Sequence, residues 1–129
     1  MKKLELYKCE ICGNIVEVVL NGEGTLVCCG EDMKLMLPNT TDGMREKHVP
    51  VLEEKDGLKI VKVGSEPHPM VDSHYIEFIE AISNDEKYVK RKYLSPNDKP
   101  ELILTGVKEN NFKMREHCNI HGLFENKGE

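Results

Sequence analysis

The positions of cysteine and histidine constrain this chain more than any other feature of its sequence. Four of its five cysteines lie within the first 29 residues, and the fifth, Cys118, lies in the segment HCNIHG at 117–122. Three further histidines, His48, His68 and His74, fall in two short upstream segments. Thiolates and imidazoles are common protein ligands of transition metals. We therefore expect two metal sites, one built from cysteines alone and one that joins several imidazoles to a single thiolate.

The overall composition favours a soluble globular protein of one domain or two small ones. The chain has 129 residues, of which 39% are hydrophobic and 32% are charged, and no apolar run approaches the roughly 20 residues of a membrane span. The N-terminus alternates leucine with charged residues and lacks the apolar stretch of a signal peptide. We therefore expect a cytoplasmic protein with no membrane association. The net charge of -5 and the lack of a Lys/Arg run argue against nucleic-acid binding.

Residues 1–37 are predicted to form a small β module around four thiols. A strand over 15–20 is followed by the turn signal Asn21-Gly22 and by a return over 25–27, which would bring the second cysteine pair beside the first. Two residues separate the thiols of the first pair, a spacing that lets the backbone wrap round one ion. The predicted ligands of this site are Cys9, Cys12, Cys28 and Cys29.

Three interpretations of the four-cysteine site are open at this point. Zinc is the metal most often found in a closed site of four cysteines, whereas tetrahedral sulfur is equally compatible with a single iron. A thiol–disulfide couple at Cys9 and Cys12 would leave Cys28 and Cys29 without a role. The second pair is unusual because its cysteines are adjacent, and neighbours can bind one ion only if the sulfur–metal–sulfur angle widens.

A linker and a β domain are predicted for the rest of the chain. Residues 38–43 are turn formers with no large apolar member, which is typical of a domain boundary. Residues 44–129 alternate short apolar runs with turns, which predicts an immunoglobulin-like sandwich of seven strands. The segment 75–82 also fits a helical period, and its context favours a strand. The predicted strands span 49–53, 58–63, 75–82, 88–94, 102–105, 112–118 and 122–125.

The second metal site is predicted to combine three distant segments of this domain. His68 lies between two prolines, which hold it in an extended conformation, and Cys118 and His121 flank a tight turn. Five protein ligands would leave a sixth position open. Thiolate together with imidazole indicates iron, copper or zinc, and zinc rarely takes five protein ligands. On spacing alone, unconnected surface or core histidines are an alternative. The candidate ligands are His48, His68, His74, Cys118 and His121.

Several of these segments resemble a known family. The adjacent second cysteine pair, followed by MKL at 33–35, resembles desulforedoxin and implies iron in the first site. The segments EKHVP at 46–50, HPM at 68–70 with HYI at 74–76, and CNIHG at 118–122 are similar to superoxide reductases. Nearly end to end, the chain resembles the two-iron desulfoferrodoxin family.

The resemblance implies a fold and two cofactors. The fold would be all-β, with a small desulforedoxin-like metal module over 1–37 followed by an immunoglobulin-like β-sandwich over 44–129. Two iron ions per chain would be present, one bound by the four cysteines. The other would lie in the plane of the four histidines, with Cys118 as its axial ligand. A homodimer is also implied.

The resemblance further implies a function. Ferrous iron in the second site would reduce superoxide by one electron to hydrogen peroxide, without release of oxygen. Lys47 is the expected cation that draws superoxide in and orients a proton-donating water. Glu46 resembles the family carboxylate that can occupy the sixth position in the ferric state. Strand alternation would separate Lys47 from His48, so this segment is expected to be a mobile loop. The four-cysteine iron could relay electrons, or rubredoxin or another donor could reduce the active iron directly.

One residue departs from the family pattern, and two other functions compete. His117 stands where the family more usually carries an aromatic residue such as tyrosine, and strand alternation should point it away from Cys118, as a non-ligand. A zinc-binding adaptor would be colourless. A one-electron carrier with two irons would be coloured and would not consume superoxide.

Overall fold

The computed structural model describes residues 1–39, 48–64, 68–107 and 111–126. The chain separates into two compact units, Met1–Leu37 and Pro38–Glu129. Within the described residues, no helical segment has the length and apolar character needed to cross a membrane. All strand pairs in both units are antiparallel. The predicted all-β fold is confirmed.

The first unit contains five short strands and a very small core. Its strands are β1 (Leu6–Lys8), β2 (Ile15–Glu17), β3 (Val27–Cys28), β4 (Glu31–Asp32) and β5 (Lys34–Leu35). One sheet has the order β2-β1-β5, and β3 and β4 form a separate ribbon. Leu4, Leu6 and Val18 are its buried aliphatic residues. So small a core supplies little free energy of folding, and proteins of this size are usually stabilised by an added device such as a bound metal.

The predicted hairpin around Asn21-Gly22 is wrong. β2 pairs with β1, and β3 pairs with β4. The turn that reverses the chain is the one that carries the first cysteine pair. There the Gly13 N–H donates to the Cys9 carbonyl and the Cys9 N–H donates to the Asn14 carbonyl, both at 2.9 Å. Gly13 adopts a φ of 83°, which glycine tolerates without steric cost.

The described residues of the second unit form seven strands in two sheets. Its strands are β6 (Pro50–Lys55), β7 (Leu58–Val63), β8 (Ile76–Ser83), β9 (Val89–Tyr93), β10 (Glu101–Leu104), β11 (Phe112–Cys118) and β12 (Gly122–Asn126). The sheet orders are β10-β7-β6 and β12-β11-β8-β9. Each of the seven predicted strands is present, with ends shifted by at most two residues, and the ambiguous segment 75–82 is a strand. Asp56 and Gly57 adopt φ values of 53° and 79°, as expected for the tight hairpin turn that this pair predicts.

Apolar side chains from both sheets form the core of the second unit. The three-stranded sheet contributes Val61, Val63, Leu102 and Leu104. The four-stranded sheet contributes Ile76, Ile79, Ala81, Phe112, Met114 and Cys118. Full burial of a valine, leucine, isoleucine, phenylalanine or methionine side chain stabilises a fold by about 1.5–3 kcal/mol. This core holds the two sheets together and encloses the thiol of Cys118.

The pairing of β11 with its two neighbours brings distant segments together at one end of the sandwich. Because β11 is antiparallel to β8 and β12, its last residue, Cys118, lies beside the first residues of those strands, Ile76 and Gly122. The register shifts between His117 and Cys118, so that Glu77 and Phe78 both stand opposite His117. Such a β-bulge re-aims side chains locally. The segments before β8 and β12 therefore meet at Cys118.

Two glutamates of the four-stranded sheet are fully buried in contrasting surroundings. Glu80 lies on the outer face, where Arg91 and Arg115 donate to its two oxygens at 2.8–3.2 Å. Glu116 lies two residues after Met114 in β11, so both side chains are on the face of the strand that packs against the core. Neither of its carboxylate oxygens has a hydrogen-bond partner in the described part of the chain. Burial raises the pKa of Glu116 well above its usual value, because an isolated charge is costly there.

The two glutamates should respond oppositely to the same substitution. Glu80→Met leaves two guanidinium groups without their shared carboxylate, and we expect it to lower the free energy of unfolding by about 3 kcal/mol. Glu116→Met exchanges an unpartnered carboxyl for an apolar chain of similar size, and we expect it to raise that free energy by about 1 kcal/mol. Urea unfolding of the iron-loaded chain measures both. A comparable loss of stability in the two variants would contradict the assigned surroundings.

Candidate metal centres

Four imidazoles and one thiol converge at the end of the sandwich where β11 stops. Cys118 is the last residue of β11 and His121 lies in the turn that leads to β12, whereas His48 precedes β6. The other two, His68 and His74, belong to the segment before β8. One ligand atom from each of the five side chains lies within 4.8 Å of every other. The structure thus brings together all five candidate ligands of the predicted second site.

The four imidazole rings form a nearly regular square. Going round it from His48 through His68 and His74 to His121, neighbouring ring centroids are 4.5, 4.8, 5.0 and 4.7 Å apart. The diagonal from His48 to His74 is 6.4 Å. Neighbouring rings are close to perpendicular, with interplanar angles of 77–89°. This is the arrangement expected of four equatorial ligands around one ion.

The distances between ring nitrogens also suit a shared ion. His48 Nε2 lies 2.9 Å from His68 Nε2 and 3.0 Å from His121 Nδ1. Two ligand atoms that each lie about 2.1 Å from one ion, at a right angle, are about 3 Å apart. A single nitrogen of His48 can make only one hydrogen bond through its lone pair or proton, so a central cation accounts for both approaches better than hydrogen bonding does.

The surroundings of His68 favour a neutral imidazole that can bind a metal through Nε2. Its Nδ1 lies 2.6 Å from the carbonyl oxygen of Pro69, and because a carbonyl can only accept, Nδ1 must carry the proton and Nε2 the lone pair. Burial lowers the pKa of His68 to about 4, so the ring is uncharged at neutral pH. A backbone carbonyl on the distal nitrogen is a usual means of fixing a ligand imidazole in one tautomer.

The thiol of Cys118 is the fifth ligand atom of this group. Its Sγ is buried and lies 3.9 Å from His121 Nδ1. Burial raises the pKa of Cys118, whereas the backbone N–H groups of His121 and Ile120 oppose that shift by donating towards the sulfur. A bound cation would favour the thiolate further. The turn at 119–121 therefore supplies both a second ligand and stabilising dipoles.

The square has a buried side and a side that reaches solvent. His48 and His68 are 2% and 5% exposed, whereas His74 and His121 are only partly buried. Phe124 stacks on His48 with ring centroids 4.5 Å apart and an interplanar angle of 20°. The His48 and His68 edge is therefore buried, whereas the residues His74 and His121 are partly exposed.

The four cysteines of the first unit form the other donor group. Cys9 and Cys12 come from the β1–β2 turn, whereas Cys28 ends β3 and Cys29 lies in the β3–β4 turn. All four sulfurs lie within 4.8 Å of one another, with Cys12 Sγ 3.6 Å from Cys28 Sγ. All four are free thiols. The β3–β4 ribbon thus places the second cysteine pair beside the first, which the predicted hairpin was expected to do.

The pKa values of these thiols differ because each sulfur has different hydrogen-bond partners within the cluster. The backbone N–H of Cys12 donates to Cys9 Sγ at 3.4 Å and is the main cause that lowers the pKa of Cys9 to about 6. Hydrogen bonding to Cys12, together with bonding to Cys28 and Cys9, raises the pKa of Cys29 to about 12. Without a cation the group therefore resists full ionisation. A metal that binds four thiolates would remove that conflict.

Three other residues were singled out in the sequence. One lies away from both donor groups, and the other two lie outside the described residues. His117 is on the opposite face of β11 from the core, where its Nδ1 lies 2.8 Å from Glu77 Oε1 and its ring stacks on Phe78. This agrees with its prediction as a non-ligand. Glu46 and Lys47 lie outside the described residues.

Two asparagines contact the site, and no role was predicted for either. Asn39 donates from Nδ2 to the His121 carbonyl at 3.2 Å and from its backbone N–H to the Leu123 carbonyl at 2.7 Å. Asn119 bonds to the residues on both sides of His74. The CNIHG segment drew attention to Asn119 without indicating its partners. Nothing in the sequence points to Asn39, because its contact with His121 joins residues that are 82 positions apart.

Comparison with known proteins agrees with these two donor groups. A family model described as desulfoferrodoxin, N-terminal domain, matches residues 1–36, and one described as desulfoferrodoxin matches residues 40–127. A desulfoferrodoxin from Syntrophotalea carbinolica is 52% identical over 130 residues, which cover 98% of each chain. A superoxide reductase from Pyrococcus abyssi is 37% identical over 102 residues, which cover 67% of this chain and 89% of that protein.

A solved structure extends the likeness to the fold of nearly the whole chain. The superoxide reductase from Treponema pallidum aligns with a TM-score of 0.71 at 24% sequence identity, covering 97% of this chain and 98% of that one. At that identity the match bears on the fold alone, and it agrees with the predicted metal module and sandwich. The family models span almost every residue, so the chain belongs to the desulfoferrodoxin family.

Proposed function

We propose that this chain is a superoxide reductase, which reduces superoxide by one electron to hydrogen peroxide. The observation that carries the proposal is the square of four imidazoles with a single buried thiol beside it. The superoxide reductase from Pyrococcus abyssi, which is similar over most of its length, supports the same conclusion. The reaction consumes one electron and two protons for each superoxide and releases no oxygen.

The proposed ligands of the active iron are the five members of that group: His48, His68, His74, His121 and Cys118. Iron suits a mixed set of imidazoles and one thiolate, and five protein ligands are more than zinc usually takes. When bound, ferrous iron supplies the electron and one coordination position for a small ligand. The chain's own part is to keep the His68 imidazole neutral and to stabilise the thiolate with backbone N–H groups.

The partly exposed edge at His74 and His121 is the proposed route for superoxide and for protons. Lys47 immediately precedes His48 in the sequence, and we assign it the role of drawing the anion in and orienting a proton-donating water. Because the net charge of -5 repels an anion, a local cation is needed to raise the capture rate. We assign Glu46 as the carboxylate that occupies the sixth position in the ferric state.

The four cysteines Cys9, Cys12, Cys28 and Cys29 are proposed to bind a second iron. Such a saturated site has no open position, so it can pass electrons but cannot bind substrate. Its suggested role is to relay electrons to the active iron from rubredoxin or another donor. The alternative is direct reduction of the active iron by that donor.

We further propose the organisation 1–37 for the metal module, 38–43 for the linker and 44–129 for the catalytic domain. We also propose a homodimer, in which a partner would cover apolar side chains that the first unit exposes. These exposed residues include Val19, Leu20, Val27 and Leu37. A cytoplasmic location is supported by the lack of disulfides among the five cysteines, since clustered cysteines in a reducing compartment more often bind metal than pair. Sedimentation velocity and cell fractionation test these two points.

The stoichiometry of the reaction tests the proposed function. We expect the iron-loaded, pre-reduced chain to form one hydrogen peroxide for each superoxide consumed, with no oxygen evolved. Dismutation would give half as much peroxide together with oxygen. Metal analysis and the visible spectrum of the ferricyanide-oxidised chain provide the control. A colourless zinc protein, or a coloured protein that leaves superoxide untouched, would rule the proposal out.

Lys47→Ile tests electrostatic capture. Removing the cation should slow the reaction with superoxide about tenfold and flatten its dependence on ionic strength, because local charge raises association rates of small anions. Pulse radiolysis at several salt concentrations measures both quantities. The matched control is Lys87→Ile, which removes an exposed lysine from the turn between β8 and β9 and should change neither. A Lys47 variant that behaves like this control would disprove the steering role.

Cys12→Ser separates the relay from direct reduction. Loss of one thiolate should empty the four-cysteine site, because the remaining three sulfurs form an incomplete tetrahedral set. We expect steady-state turnover with a protein donor to fall, while a single turnover of the pre-reduced active iron keeps its rate. Iron content should drop from two to one per chain. Full steady-state turnover in this variant would show that the first site is dispensable.

A further inference from the structure

Asn119 connects the two segments that carry Cys118 and His74. Its Oδ1 accepts a hydrogen bond from the Tyr75 N–H at 2.9 Å, and its Nδ2 donates to the Ser73 carbonyl at 3.2 Å. Its backbone N–H also donates to the Tyr75 carbonyl, at 3.2 Å. One residue, placed directly after the thiol, thus holds the backbone on both sides of His74.

The carboxamide of Asn119 takes the place of a missing peptide group. The ladder between β11 and β8 ends where Cys118 pairs with Ile76, because the chain then turns towards β12. A primary carboxamide offers the same donor and acceptor as a peptide. By bonding to Tyr75 and Ser73 it continues the pairing past the last residue of β11. The asparagine therefore extends the sheet to the point where His74 leaves it.

Other described hydrogen bonds of the segment before β8 lead away from the turn at 119–121, such as that from the Asn97 N–H to the Met70 carbonyl at 2.8 Å. Val71 and His74 exchange two backbone hydrogen bonds of 3.0 Å within the same short loop. The Ile76 N–H donates to the thioether of Met70 at 3.4 Å, and sulfur is a weak acceptor. None of these contacts ties this segment to the turn that carries the thiol. The bonds of Asn119 do so, and they lie at an exposed position outside the core.

We propose that Asn119 is a positioning residue for the four-histidine site, which fixes His74 relative to Cys118. It is not proposed as a ligand, because its carboxamide is engaged on both sides by backbone groups. The inference rests on the proposed assignment of His74 and Cys118 as ligands of one ion. Groups that orient metal ligands commonly change metal affinity by about 10–100-fold when they are removed. The two side-chain hydrogen bonds of Asn119, called the clamp below, should therefore affect how slowly the iron is lost and the ligand field that it experiences.

Two variants and a matched control test the clamp in the full-length, iron-loaded chain. Asn119→Ala removes both side-chain bonds, whereas Asn119→Asp keeps the acceptor for Tyr75 and loses the donor to Ser73. The control is Asp85→Ala. The Asp85 side chain likewise accepts from a neighbouring backbone N–H, that of Lys87 at 3.1 Å, but it lies in the turn after β8, at the opposite end of that strand from Cys118.

Three measurements are compared across these proteins. Amide hydrogen exchange over residues 73–76 should become about tenfold faster in Asn119→Ala, since the Tyr75 N–H loses its side-chain acceptor. Loss of the second-site iron to a ferrous chelator should be about tenfold faster, with the absorption of the four-cysteine iron unchanged as an internal reference. The EPR signal of the oxidised second-site iron should shift. Asn119→Asp should keep slow exchange and lose iron at an intermediate rate, and the control should match the unsubstituted chain.

The outcomes separate this inference from the proposed function. If Asn119→Ala retains iron and keeps the EPR signal as the control does, the positioning role is wrong, even where local exchange is faster. If the alanine variant does not fold, the ranking of Asn119→Asp against the control decides in the same way. A chain that never reduces superoxide would refute the proposed function, while exchange and iron loss would still decide whether Asn119 holds the site.

Discussion

The antiparallel pairing of β11 with β8 is the interaction on which the metal site depends. It places the C-terminal thiol of Cys118 opposite Ile76, and so brings the turn at 119–121 to the segment that carries His68 and His74. Because β11 also pairs with β12, the same strand end holds His121. A strand in the middle of a sheet is the least mobile place from which to present a ligand. Cys118 therefore takes its position from the sheet, whereas the four histidines lie in segments outside the strands.

This placement brings polar, titratable groups against an apolar core. The thiol of Cys118 is fully buried, and His48 and His68 are nearly so. Burial lowers the pKa of His68 and raises that of Cys118, which leaves both groups neutral when no cation is bound. A cation bound by these five groups would offset the cost of desolvation, because it would accept a lone pair from each of them. Metal binding and folding are therefore expected to be coupled, most strongly in the first unit with its very small core.

The sequence predicted the strands of the second unit well and the pairing of the first unit badly. Alternation of apolar residues and the Asp56-Gly57 turn are local signals, and they located β6 to β12 within two residues. In the first unit the Asn21-Gly22 signal was equally local, yet β2 pairs with β1. The turn at Gly13 reverses the chain earlier and takes β2 first. The sequence contained two turn signals. Which of them sets the strand pairing depends on the four-cysteine cluster, and this cluster is complete only in the folded unit.

The kind and number of metal donors could be predicted from the sequence together with the family resemblance, because thiols and imidazoles are rare and their chemistry does not depend on the fold. Their arrangement could not. That the four rings form a square, that Glu116 faces the core with no hydrogen-bond partner among the described residues, and that Asn39 and Asn119 secure His121 and His74 were decided only by tertiary structure. The physical reason is that each contact joins segments tens of residues apart, whose meeting depends on strand register rather than on any local pattern.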